Sequence, residues 1–115
     1  MGYLVRAFPL IRPVEELQAF LAALKAEKSA DAARFYGQYG VTQEIAYLQD
    51  LGPGKKILIV VTVLSDAKEA APRYAAASEG FHAWFKQQIL HLTGVDPNVA
   101  PLGPPTTEVF NWRAE

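Results

Sequence analysis

The side chains of this sequence best able to transfer a proton lie in one stretch, GFHAWFKQQILHLTGVD, Gly80 to Asp96, which carries both histidines and one of the two tryptophans. Each helical residue turns by about 100 degrees, so Phe81, Phe85, Ile89 and Leu92 share one face, with Trp84 and Gln88 beside it. His82 and His91 are nine residues apart and flank that face on opposite sides. One metal ion cannot be held by both, so the metal reading falls away. His91, in the last turn, is explained as a cation stabilised at the helix C-terminus. His82 gains nothing from the dipole. A neutral imidazole beside Trp84 is either a boundary residue with a solvated edge or a proton-transfer group at the rim of a pocket.

A second candidate pair is borne by strands. Arg6 alternates with Val5 and Ala7 and therefore shares a strand face with Leu4 and Phe8, where a charge wants an acceptor. Glu44 could supply it, as a structural ion pair or as an anchor for a ligand. Trp84, Phe85, Tyr47 and Trp112, with Phe8 and Phe110, come from a helix and three strands and would either wall one apolar cavity or fill an ordinary core. In an enzyme, His82 would carry the proton, Arg6 would steady a developing oxyanion, and the aromatics would shape the pocket.

These residues need elements to position them. Tyr3 to Leu10 reads as a strand closed by prolines. Pro13 opens a helix with Glu15 and Glu16 in its first turn and an apolar stripe through Val14, Leu17, Leu21 and Leu24. A break is expected near Ser29, where Ser29 or Asp31 would cap a further turn. Gln43 to Asp50 is a second strand, LGPGKK a turn, and ILIVVTVL, Ile57 to Leu64, a third strand apolar on both faces. Asp66 with Glu69 forms a capping box. Pro72 predicts a short helix, a bend and a second start at Ser78, ending at Gly94. A proline-rich loop comes next, then a fourth strand, Thr106 to Trp112. The order is that of a single ferredoxin-like α+β domain over residues 1–115, βαββαβ, with four antiparallel strands, strands one and three central, and helices on one face.

Such a sheet leaves the second face of strand three in water, roughly a few hundred square angstroms of aliphatic surface, more than a monomer normally shows. A second copy covering it, as a two-fold homodimer, is the expected remedy. The strand order, the doubly apolar third strand and the bent second helical region resemble the dimeric α/β barrel superfamily. The stretch from Phe81 to Trp112, with its TGVD turn, proline-rich loop and final strand, resembles an uncharacterised bacterial family within it. That superfamily includes small cofactor-independent monooxygenases related to antibiotic biosynthesis. The resemblance implies, for a catalytic chain, oxygenation or isomerisation of a small aromatic or polyketide-like molecule; the alternative is a non-catalytic small-molecule-binding or protein-interaction module.

Composition excludes more than it selects. Eleven basic and twelve acidic side chains leave a net charge of -1, so nucleic acid and anionic membranes are not expected partners. There is no cysteine, hence no disulfide, thiolate chemistry or sulfur-bound zinc. No run of eighteen apolar residues, basic n-region or cleavage site occurs, and a cytoplasmic protein is expected. No dinucleotide fingerprint, P-loop, nucleophile elbow or zincin motif is present, so no cofactor is called for.

Overall fold

The computed structural model describes residues 2–114 and shows a mixed α+β fold. β1 (Gly2–Pro9) is followed by α1 (Val14–Lys25), α2 (Ser29–Gln38), β2 (Val41–Asp50), β3 (Lys56–Leu64), α3 (Ala67–Ala76) and α4 (Phe81–Thr93). The three strands form one antiparallel sheet in the order β1-β3-β2. β3 is central, Arg6 pairing with Val60 on one side and Glu44 with Thr62 on the other. β1, expected to be central, is an edge.

Local chemistry accounts for most boundaries. Asp66 accepts the Glu69 backbone N–H at 3.1 Å, and Gly94 ends α4 with φ 75°, the left-handed geometry that glycine takes without strain. Gly52 and Gly54 turn β2 into β3 with positive φ. The break before Ser29 is present, but neither Ser29 nor Asp31 caps α2; Lys28 occupies the cap position, with no side-chain bond. Pro72 lies inside α3 without ending it, and α4 starts at Phe81 rather than Ser78. The proline leaves the Lys68 carbonyl without its usual donor. Both residues are exposed, so water can take that place.

The fourth strand does not form. Beyond an isolated bridge between Arg6 and Pro105 and a 2.6 Å bond from the Thr106 hydroxyl to the Val5 carbonyl, Thr106 to Trp112 has no ladder and is exposed throughout. Pro104 and Pro105 bring no N–H to start one, and Val109, Phe110 and Trp112 find no surface in a single chain to bury against. The run begins where a strand beside β1 would begin.

The core lies on one side of the sheet. Phe8, Leu58 and Leu64 join Leu17 and Phe20 of α1, Phe35 of α2, and Phe85 and Leu92 of α4 in one buried cluster. Phe35 is its hub, with ring centroids 4.7 Å from Phe85, 5.2 Å from Tyr36 and 5.3 Å from Phe81, close enough for edge and tilted packing to add to burial. Lys86, only 5% exposed, is held inside by three acceptors: the carbonyls of Ala75, at 3.2 Å, and Ala77, and Oδ1 of Asn98, at 2.9 Å. It thereby ties the end of α3 and the proline-rich loop to α4. No helix of the described residues is long and apolar enough to cross a membrane.

Candidate functional site

Above the helix-covered face of the sheet lies a cavity of about 690 Å³, within the range of small-molecule sites. Phe8, Leu58 and Val60 form its floor, Phe20 and Leu24 of α1 and Phe85 and Ile89 of α4 its walls. The loop at Pro101 to Gly103 closes one end. Gly103 adopts φ 74°, and a Cβ there would lie 2.5 Å from Cζ of Phe8, so the loop approaches the floor as closely as it does only because this residue has no side chain.

The polar end of the cavity is lined by Arg6, Glu44 and Tyr36, with buried Thr62 joined to them by hydrogen bonds. Strand alternation puts Arg6 on the helix face, and antiparallel pairing brings Thr62 and Glu44 beside it. Nη2 of Arg6 donates to the Thr62 hydroxyl and, at 3.5 Å, to Oε1 of Glu44. The Thr62 hydroxyl in turn donates to Oε1 of Glu44 at 2.6 Å, and the Tyr36 hydroxyl to Oε2 at 2.6 Å. Glu44 thus accepts three hydrogen bonds and its charge is held in place. Burial lowers the Arg6 pKa, opposed by the Glu44 charge, but a guanidinium starts so high that it stays protonated. Burial, reinforced by the Glu44 charge, raises the phenol of Tyr36 well above its ordinary value; burial does the same at Tyr74, with nearby Arg6 pulling the other way. Both are neutral donors at physiological pH.

Arg6 has donors to spare. Its five N–H groups meet two protein acceptors, both through Nη2. Nε is buried and without a partner among the described residues. The guanidinium carbon is 5.9 Å from the Phe8 ring centroid, so the cation borders the apolar floor.

The residues expected at a site are divided by the fold. Arg6, Glu44 and Phe85 come together on the cavity. Trp84 is outside its lining; its ring packs on Phe20 and Phe81, each at 5.5 Å, with the Lys28 ammonium 4.8 Å from its centroid. Tyr47 lies on the opposite face of the sheet, 55% exposed, and Trp112 on the unpaired C-terminal run, 75% exposed. His82 is also outside the lining. Its Nε2 is 2.9 Å from the Tyr39 hydroxyl and 3.0 Å from Nε2 of Gln38, and its ring is 5.1 Å from Phe35. Burial first, and the Lys86 charge second, lower its pKa and favour the neutral ring. His91 meets Oε1 of Glu16 at 2.6 Å on the surface. No cluster of metal-ligating side chains occurs among the described residues.

Tyr36, Thr62 and Tyr74 complete the site, and none of them stands out in the sequence as a candidate. Thr62 carries a signal, as the one polar residue in ILIVVTVL. Tyr36 and Tyr74 carry none, since their placement depends on how α2 and α3 dock on the sheet.

Set beside known proteins, the chain matches no family model, and neither a curated protein nor a solved structure matches it. Its geometry defines a small α+β fold with an open three-stranded antiparallel sheet and a cavity ending in a part-buried ion pair.

Proposed function

We propose that this chain is a small-molecule-binding protein of the dimeric, ferredoxin-like α/β-barrel type, its ligand apolar or aromatic and held between the sheet and the helices. The observation that carries the reading is the cavity itself, apolar over its floor and walls and ending in a guanidinium with unspent donors. Ligand sites are concave, mostly apolar and oriented by a few polar groups. Native mass spectrometry of protein purified from its own host should show a retained small molecule, displaced when Ile89→Trp fills the cavity from α4. Protein that is free of ligand and fails to bind small aromatic probes would end this reading.

The second copy belongs to the proposal. The core cluster draws on the helix face of the sheet alone, while Val5, Ile59 and Val61 line the other face beside the exposed rings of Tyr3 and Tyr47. Joined to the exposed Val109, Phe110 and Trp112, this is the surface a partner copy would bury. Light scattering should give about twice the 12.6 kDa chain mass, and Val61→Lys should return the protein to a monomer.

A catalytic reading, cofactor-independent oxygenation or isomerisation, has one specific support: Arg6 could stabilise a developing oxyanion. His82 is a weaker partner for it, being turned toward Tyr39 and Gln38. Turnover surviving His82→Ala and lost in Arg6→Lys would favour this reading and place the chemistry on the sheet.

A further inference from the structure

The ion pair sets the chemistry of what the cavity can hold. An arginine alone at the end of an apolar pocket would select a carboxylate or phosphate. Here Glu44 stands 3.5 Å from the same guanidinium, so the polar end has one positive and one negative charge and no net charge. An incoming anion would gain from Arg6 and lose against Glu44, after giving up its water. Hydrogen-bonding capacity is not balanced in the same way. Three carboxylate-directed bonds occupy Glu44, whereas Nη1 of Arg6 has no acceptor among the described residues; Nε has none either but is closed off from solvent and from the cavity, so Nη1 is the guanidinium donor left for a ligand. Tyr74, also on the lining, has a hydroxyl with no acceptor among them, and its raised pKa keeps it a donor. The remaining cation on the lining, Lys25, is exposed at the end of α1, where water screens it.

We infer that the cavity selects a neutral apolar molecule bearing a carbonyl-type acceptor, a ketone, quinone or ester, and discriminates against the carboxylate of the same size. A carbonyl oxygen accepts from the unspent donors without meeting the Glu44 charge, and the apolar walls take the remainder. The inference rests on the pocket reading above and adds the ligand's charge and polarity to it.

Three probes of one ring system separate the possibilities by isothermal titration at about pH 7.5, where the acid is ionised: 2-acetylnaphthalene, 2-naphthoate and 2-ethylnaphthalene. The ketone should bind at least about tenfold tighter than the carboxylate and several-fold tighter than the hydrocarbon. Glu44→Gln removes the negative charge, so the affinity of 2-naphthoate relative to the ketone should rise about tenfold. The ranking in the unaltered protein needs no variant to fold. Carboxylate binding as tight as ketone binding, or a ketone no better than the hydrocarbon, would overturn the inference and leave the pocket standing. Failure of all three to bind, or binding unaffected by Ile89→Trp, would overturn the pocket reading and the inference with it.

Discussion

Lys86 and Arg6 both carry a positive charge out of water, and the fold surrounds them differently. Lys86 has three N–H donors and three acceptors, two of them helix-end carbonyls, and its ammonium is 4.8 Å from the Tyr74 ring centroid. Nothing on it is free. Arg6 has five donors and uses two, with a carboxylate beside it and a cavity in front. A buried charge whose hydrogen bonds are all taken within the fold is a fastening. A part-buried charge that is neutralised but not saturated leaves a donor for a ligand to use.

The contrast predicts an order of effects. Replacing Lys86 by Met strands two carbonyls and the Asn98 side chain together, and should lower unfolding free energy by about 3 kcal/mol in urea titrations. If the loss is under about 1 kcal/mol, Lys86 is no fastening. Arg6→Met removes the partner of a half-buried carboxylate and should cost about 2 kcal/mol, with roughly half regained in the Arg6→Met, Glu44→Gln double variant. Additive losses would show that the pair is not a unit. Thr62→Val, which cuts the hydroxyl link between the two charges, should cost about 1 kcal/mol and weaken binding of a carbonyl probe less than Arg6→Met does.

The smallest effect concerns His82, which neither fastens nor faces the cavity. Its folded pKa lies below the ordinary 6.5. Between the lowered value and 6.5 the unfolded chain binds more protons than the folded one, so stability present above pH 6.5 declines as pH falls through that window. His82→Gln should flatten this part of the stability curve; an unchanged slope would show that the histidine is not titrating against the fold.

Legibility from sequence declines with distance along the chain. The alternation that puts Arg6 on the face of Leu4 and Phe8, the Asp66 cap and the Gly94 stop are decided within a few residues, and each reads directly; the Glu69 half of the expected box is taken up by Arg73 instead. Glu44 is reachable because two strands joined by a tight glycine turn have little freedom of register. Tyr36 and Tyr74 depend on helix docking, and no spacing reports that. Pro72 misleads because its penalty depends on whether the stranded carbonyl meets water. His82 and Trp84 do lie on α4 as their spacing predicts, but a helix face says only that a residue points inward, not whether it meets another ring or an open space. Thr106 to Trp112 has the composition of a strand, yet a strand exists only where another edge receives it.

Gly103 gives the cavity an external control. Because the loop rests on Phe8 at the one residue lacking a side chain, the depth of the chamber is gauged by a single absent carbon. A methyl group there would act as a shim, pressing on the Phe8 ring and, at 3.4 Å, on Cδ of Arg6, and lifting the loop from the floor. Ligand size and ligand polarity therefore meet at one residue, where the loop touches both the apolar floor and the stem of the guanidinium.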